Sequence, residues 1–186
     1  MNRKKLQYAA WGFAALLLAG VSNSSQPPTT SQDLASNYNA TLKAALDTLR
    51  GHRPKEAYEI TAGLETWCQK DHTFATNKKC SPDHLAKIRG DFFYELSYQN
   101  ASDLSRAGDY RGAIKIMEPL EPRCVFLRTE ECIKEHEWFL NMSQLMAVRI
   151  DVHQLVKIDK FEEASTELLK AEPFANALSE NDQTDY

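Results

Sequence analysis

The four cysteines are the residues with the clearest chemical potential in this sequence. They are Cys68, Cys80, Cys124 and Cys132. An even number of cysteines in an exported chain indicates two disulfides, for which three pairings are possible. The rival interpretation is a metal site, because Cys132 and His136 lie one turn apart on a predicted helix and because His72 and His84 flank Cys80. Zinc sites usually contain close pairs such as Cys-x-x-Cys. The sequence has no such pair, so disulfides are favoured over metal.

Other arrangements that could support catalysis are incomplete. The stretch "KEHEWFLN" approaches a zinc-protease pattern, but the position four residues after His136 is Leu140 instead of a second histidine. Adjacent acids such as Glu130 and Glu131 point apart on a helix, and there is no Gly-rich phosphate loop or Gly-x-Ser-x-Gly motif. We therefore expect no catalytic site, no metal and no cofactor, and the chain is not predicted to be an enzyme. A thiol enzyme is the alternative, and it would require a free cysteine.

The N-terminus is typical of a secretory signal peptide, predicted over residues 1–24. Basic residues 3–5 precede an almost uncharged apolar run over residues 6–21, which is followed by small polar residues. The run is shorter than the roughly 20 apolar residues that a spanning helix needs. Cleavage and a periplasmic or secreted location are therefore predicted. The alternative is an uncleaved anchor in the inner membrane.

The charge balance of the remaining chain bears on its partners. Loss of the leader removes three basic residues and no acid, which changes the net charge from −4 to about −7. A negative chain of this kind is not expected to bind nucleic acid or an anionic membrane surface. The partner expected is a protein or a peptide.

The hydrophobic spacing predicts an all-α domain. Residues 25–32 form a polar linker, residues 33–173 the helical domain and residues 174–186 an acidic tail that is predicted to be disordered. Helices are predicted over residues 34–50, 54–69, 82–107, 110–120, 131–158 and 160–171.

The helices form three pairs with similar sequences at their turns. Ala57, Ala113 and Ala164 occupy the same place in each pair, at spacings of 56 and 51 residues. Small residues at this position let two paired helices approach closely. Regular spacing of this kind indicates a repeated helix pair that buries its apolar face against the next pair.

The second unit, "NASDLSRAGDYRGAIKIMEPL", resembles the tetratricopeptide repeat. The resemblance rests on Ala101, Leu104, the turn that begins at Gly108, Ala113 and the apolar run that follows. The third unit is similar through Leu155, Phe161, Ala164, Leu168 and Ala171, and the first through Ala45, Gly51 and Ala57. The units are longer than the usual repeat, and the early aromatic of the first helix is not in register throughout. The resemblance implies three helix hairpins in a short right-handed solenoid; an irregular helical bundle is the alternative.

The cysteines fit between these units. Cys68 ends the first unit and Cys80 precedes the second, while Cys124 and Cys132 bracket the next junction. Local pairing, Cys68 with Cys80 and Cys124 with Cys132, would staple each loop between units.

A binding groove is predicted along the first helices of the pairs, which in the tetratricopeptide family line a peptide-binding surface. Alignment of the units places Arg50, Arg106 and Lys157 near the ends of these helices, and Tyr98, Arg149 and His153 lie on neighbouring turns. These side chains could bind a carboxylate or an acidic segment of a partner. The alternative is that the cations only complement the helix dipoles.

Together these features predict an exported protein–protein interaction module, acting as a scaffold, adaptor or chaperone in the bacterial periplasm or cell envelope. The alternative is an N-terminally anchored structural or assembly subunit of an envelope complex such as a secretion or pilus system.

Overall fold

The computed structural model describes residues 31–70 and 77–183. The predicted signal peptide and residues 25–30 of the predicted linker lie outside this part of the chain. The helices of the described residues are α1 (Ser31–Arg50), α2 (Pro54–Gln69), α3 (Pro82–Arg106), α4 (Tyr110–Met117), α5 (Thr129–Lys157), α6 (Phe161–Leu169) and α7 (Glu172–Gln183). A single 3₁₀ turn, Lys78–Cys80, precedes α3. The described part of the chain contains no strand. The prediction of an all-α fold is confirmed for the described chain.

Local sequence signals determine where several helices begin. The Ser81 hydroxyl accepts the His84 N–H over 3.2 Å, and Pro82 occupies the first turn of α3. Asp109 accepts the Gly112 N–H over 2.9 Å at the start of α4. Such caps satisfy backbone donors that have no partner inside the helix.

Three turns, between α1 and α2, α3 and α4, and α5 and α6, share one backbone geometry. Each contains one residue with positive φ: His52 at 57°, Gly108 at 84° and Asp159 at 58°. The N–H of the next residue donates to the carbonyl oxygen five residues earlier and so closes the preceding helix. These hydrogen bonds run from Arg53 to Thr48 (3.3 Å), from Asp109 to Leu104 (2.9 Å) and from Lys160 to Leu155 (3.0 Å). This left-handed closure is the Schellman arrangement of helix ends, and it places three helix pairs in equivalent hairpins.

The main helix contacts join elements that are adjacent in the sequence. Contacts run from α1 to α2, α2 to α3, α3 to α4, α4 to α5 and α5 to α6, and α7 also packs on α5. The alanines predicted to allow close helix approach are buried: Ala45, Ala57, Ala101, Ala113 and Ala164. Because these side chains are small, the two helices of each hairpin pack closely.

One core cluster lies at the first junction between hairpins and another at the second. The cluster at the first junction contains Leu34, Tyr38, Leu64, Cys68 and Cys80. The second cluster contains Tyr94, Ala101, Ala113, Met117, Cys132 and Phe139, from α3, α4 and α5. Burial of these apolar side chains provides the main driving force that holds the hairpins together.

Both predicted disulfides are confirmed. Cys68 pairs with Cys80 and Cys124 with Cys132, at Cα–Cα distances of 5.4 and 5.6 Å. Each bridge joins a helix to the connection beside it, so the two loops between hairpins are both constrained.

The C-terminal part differs from the sequence-based expectation. Composition predicts disorder over residues 174–186, whereas residues up to Gln183 form the helix α7. Phe174, Ala177 and Leu178 are partly buried at helical spacing, and Ala171 just before α7 is buried. These apolar residues let α7 pack on α5 despite its acidic composition.

Two helix boundaries also differ. Helix α4 ends at Met117, just before the Glu118-Pro119 sequence, whereas the predicted helix continues to residue 120. Glu118 keeps a helical backbone conformation, but Pro119 has no N–H to donate to a helix carbonyl, which explains the earlier end. Helix α1 begins at Ser31, inside the predicted linker. In the described part of the chain, no helix has the length and apolar character needed to cross a bilayer.

Candidate functional site: two clefts between hairpins

The predicted groove residues are divided between two separate clefts. Arg50 and Tyr98 line one cleft, at the junction of the first and second hairpins. Arg149, His153 and Lys157 line another, at the junction of the second and third hairpins. Arg106 lines neither of them. Its exposed guanidinium pairs with Asp103 at 2.8 Å, which fits a cation that complements a helix end.

The first cleft has a volume of about 390 Å³, and part of its wall comes from the connection between α4 and α5. It is lined by Leu49, Arg50, His52, Pro54, Glu95, Tyr98, Gln99 and Phe126. Phe126 comes from the connection between α4 and α5. The Arg50 guanidinium lies over the Phe126 ring, 5.3 Å from its centroid, in a cation–π contact.

Phe126 belongs to a segment, residues 121–127, that we call the strap. The strap runs back along α3: a Cβ added at Gly90 would lie 3.1 Å from Arg123 Nη1, so Arg123 packs directly over this glycine. Further along, the Val125 N–H donates to Glu95 Oε1 over 2.8 Å. The strap is therefore positioned by α3 at two successive points.

The strap is also held by core packing and by a disulfide. The Val125 side chain packs against the cluster that contains Ala45, Leu49, Ala57 and Phe92, in which α1 and α2 meet α3. Cys124 is bridged to Cys132 at the start of α5. The connection after the second hairpin thus reaches back to the first hairpin.

Burial raises the pKa values of two carboxyl groups of α3 that lie beneath the strap. Burial raises the pKa of the Glu95 carboxyl, and the hydrogen bond from the Val125 N–H partly offsets this effect. Burial likewise raises the pKa of Asp91, while Lys87 and Arg123 oppose the shift. The Val125 N–H favours the ionised form of Glu95 because a charged acceptor makes the stronger hydrogen bond.

The second cleft is larger, with a volume of about 660 Å³. Its lining residues are Gly108, Tyr110, Met146, Arg149, Ile150, Val152, His153, Gln154, Val156 and Lys157. Most of these side chains are apolar, and Ile150 and Val156 are 36% and 41% exposed. The described residues that line this cleft include three basic side chains and no acid. The cleft therefore combines an apolar surface with positive charge.

One acid lies close to this cleft but is already paired. Asp151 lines a smaller neighbouring cleft of about 220 Å³ together with Arg111. The Arg111 guanidinium forms an ion pair with the Asp151 carboxylate across the junction between the second and third hairpins. Because Arg111 neutralises Asp151, this acid does not cancel the charges of Arg149 and Lys157.

The two clefts occupy equivalent places in successive hairpins. Measured from the left-handed residue of the turn that follows, Glu95, Tyr98 and Gln99 of α3 correspond to Met146, Arg149 and Ile150 of α5. On the opposite wall, His52 and Pro54 correspond to Gly108 and Tyr110. The main difference is that Phe126 of the strap lines the first cleft, whereas no equivalent segment is among the described residues that line the second.

Tyr98 connects the first cleft to Glu135, a half-buried acid of α5. Its hydroxyl donates to Glu135 Oε1 over 3.0 Å, and its ring packs 5.2 Å from that of Phe139. Burial, followed by the Glu135 charge, raises the pKa of Tyr98. The hydroxyl is thus engaged by the protein, and the ring is the part of Tyr98 that a ligand could contact.

The geometry around Cys132 and His136 does not resemble a metal site. Cys132 is bridged to Cys124, and His136 Nδ1 lies 3.0 Å from the Tyr94 hydroxyl. Among the described residues, no group of three or more potential ligands could hold a metal ion. His72, the other histidine beside Cys80 considered from the sequence, lies outside these residues.

Sequence reasoning missed the strap. The helix spacing predicts residues 121–130 only as a connection between units, although this stretch places Val125, Phe126 and Leu127 together beside Cys124. An apolar cluster next to a bridged cysteine is the signal that could have indicated a segment docked on the fold. Comparisons of this chain with protein-family models, with curated proteins and with solved structures give no match.

Proposed function

We propose that this chain is a short exported helical-repeat protein, of the tetratricopeptide type, that binds an acidic segment of a protein partner. On this proposal the three hairpins stack as a right-handed solenoid, and the protein acts as a scaffold, adaptor or chaperone in the bacterial periplasm or cell envelope. The observation that carries the proposal is the open second cleft, where Arg149, His153 and Lys157 surround exposed apolar side chains.

Several further observations support this proposal. The equivalent turns at His52, Gly108 and Asp159 favour a repeated hairpin, and the mainly sequential packing of the helices is typical of repeat proteins. The two disulfides are compatible with an oxidising location such as the periplasm. All four cysteines are bridged, so none of them offers a free thiol for catalysis.

Site-specific photo-crosslinking in the source cells tests this function. A photoreactive side chain at Ile150 in the second cleft should form an adduct with one defined protein. The same group at Gln99, the equivalent position in the first cleft, provides the matched control and should give little of that adduct.

A charge-reversed variant then tests the contribution of the cleft cations. Arg149→Glu combined with Lys157→Glu should abolish the Ile150 adduct, because both positive charges become negative. Both residues are exposed, so the fold should be retained. Equal adducts at Ile150 and Gln99, or an adduct that survives charge reversal, would contradict the proposed function.

A second candidate function, that of an assembly subunit, is favoured by a different surface. The third hairpin exposes large apolar side chains at Ile158, Phe161, Leu168 and Leu169, which are 57% to 68% exposed. Exposed apolar clusters of this kind often mark protein interfaces. Size-exclusion chromatography with light scattering tests this candidate: an assembly subunit should form a larger species that Phe161→Ser with Leu169→Ser disrupts.

A further inference from the structure

The strap shows what kind of segment fits a cleft between two hairpins of this protein. Val125 and Phe126 lie in a stretch without helix or strand, and the half-exposed Phe126 ring forms part of the wall of the first cleft beside Arg50. The contacts around the strap combine one aromatic anchor, one backbone hydrogen bond to Glu95 and one apolar contact with the core. A short irregular segment with an aromatic side chain is therefore an occupant that the protein already accommodates.

The second cleft is lined from the same helix positions as the first, but the side chains at these positions differ. Glu95, which accepts the strap N–H, is replaced by Met146, so this acceptor for a peptide backbone is absent at the equivalent position. Gln99 is replaced by Ile150, which makes the surface more apolar. Tyr98 is replaced by Arg149, which adds a cation that the described chain leaves exposed.

From this correspondence we propose that the second cleft binds an extended partner segment whose aromatic side chain lies on Ile150 and whose flanking carboxylates pair with the cations of α5. This inference rests on the proposed function and specifies its ligand. The aromatic side chain is the counterpart of Phe126, and the carboxylates replace the attachment that the disulfide gives to the strap.

The spacing of the cations limits the length of the segment. Arg149, His153 and Lys157 lie on successive turns of α5, and eight residues of helix span about 12 Å. An extended chain covers about 12 Å in roughly four residues. Carboxylates within about two residues on either side of the aromatic side chain can therefore reach this row of basic side chains.

Peptide binding to the oxidised full-length chain tests this ligand chemistry. The probe is a fluorescein-labelled hexapeptide, Asp-Glu-Val-Phe-Asp-Glu, and binding is measured by fluorescence anisotropy at low salt. We expect this probe to bind at least about 10-fold more tightly than Asp-Glu-Val-Ala-Asp-Glu, because the latter lacks the apolar anchor. The basic analogue Lys-Lys-Val-Phe-Lys-Lys should not bind detectably.

Protein variants locate the binding. Ile150→Glu should weaken binding of the Phe-containing probe at least about 10-fold, because it places a carboxylate on the apolar surface and opposes the acids of the probe. The matched control, Gln99→Glu, places a carboxylate at the equivalent position of the first cleft and should leave binding of the probe unchanged. An equal loss in both variants would overturn the assignment to the second cleft.

The remaining outcomes separate this inference from the proposed function. Equal binding of the Phe and Ala probes, lost on charge reversal of Arg149 and Lys157, would overturn the aromatic anchor but leave an acid-binding cleft. No binding of any probe, together with a defined adduct at Ile150, would overturn this ligand class alone. No binding and no adduct would overturn both. Tighter binding after deletion of residues 184–186 would overturn the inference by indicating that the chain's own end occupies the cleft.

Discussion

The Tyr94 hydroxyl lies 3.0 Å from His136 Nδ1 in the core between α3 and α5, and both residues are buried. Burial lowers the pKa of His136, with a smaller opposing effect of the Glu137 charge. A neutral imidazole can accept the tyrosine O–H at Nδ1, whereas a protonated one cannot. This hydrogen bond therefore links the second and third hairpins in a way that depends on the proton content of one side chain.

The first prediction concerns the pH dependence of stability. Because the pKa of His136 is lower in the folded state, the unfolded chain binds a proton first as the pH falls below about 6.5. Stability from this group is complete above that pH and is lost as the pH falls toward the folded pKa. The loss is at most about 1.4 kcal/mol per pH unit.

Urea denaturation of the wild type and of His136→Gln, at about pH 7.5 and about pH 5.5, checks this prediction. The variant should lose less stability on acidification than the wild type. His84→Gln, which removes an imidazole elsewhere in α3, is the control variant. Half-buried Glu95 and Asp91 have raised pKa values, which act in the opposite direction, so the effect of His136 is taken from the difference between the wild type and His136→Gln.

The second prediction uses the three equivalent turns. Gly108→Ala should destabilise the fold by about 1 kcal/mol, because φ is positive there and the added methyl group gains no contact within 4 Å. His52→Gly and Asp159→Gly should each stabilise it by about 0.5 to 1 kcal/mol, because glycine adopts positive φ more readily.

Thermal and urea unfolding provide the measurement for these turn variants. Ala107→Gly is the control, because Ala107 has a negative φ of −77° and should be destabilised by glycine. If His52→Gly and Asp159→Gly were destabilising like the control, the left-handed geometry of these two turns would be contradicted.

The third prediction separates the two disulfides. Replacement of either bridged pair by serine should cost about 2 to 3 kcal/mol, since both close short loops. Only loss of Cys124–Cys132 should also release the strap, because that bridge holds its central residue, Cys124. Hydrogen exchange at the Val125 amide, which donates to Glu95, should then accelerate.

Loss of Cys68–Cys80 is the matched control for the strap, because this bridge lies in the first junction. When exchange is measured at denaturant concentrations that give both variants the same stability, the Val125 amide should remain protected in that variant. Similar exchange at Val125 in both variants would show that the disulfide does not hold the strap in place.

The fourth prediction concerns α7. Phe174→Ser combined with Leu178→Ser should destabilise the fold by about 1 to 2 kcal/mol, because both side chains are partly buried. Exchange of amides over residues 172–183 should also accelerate. Asn176→Ser, at an exposed position, is the control. Unprotected amides in the unmodified protein would instead match the disordered tail that composition predicts.

Helix positions and cysteine pairing could be predicted from the sequence because local signals determine them. Ser81 and Pro82 mark the start of α3, and the cysteines lie near the ends of helices. Helix α7 was missed because its acidic composition outweighed three apolar residues whose role depends on packing against α5. Composition alone does not reveal such a tertiary contact.

The residues of the predicted groove do not line one surface, and their role in binding a partner stays a prediction. Equivalent sequence positions, such as Tyr98 and Arg149, lie in two different clefts. The strap separates their environments, and it is a contact between distant parts of the chain that periodicity does not reveal. A register argument identifies equivalent positions, but it cannot show which of them another segment covers.

The strap also affects how the protein should open. Val125, which follows the second hairpin, packs against a cluster that includes residues of α1 and α2, so separation of the first two hairpins breaks these contacts. A stack joined only through sequential neighbours could lose its hairpins one at a time. Here the strap joins all three hairpins, because Val125 packs against the core of the first and Cys124 is bridged to Cys132 of α5, so they should unfold in a single cooperative step. A partner held in the second cleft would raise the midpoint of this one transition.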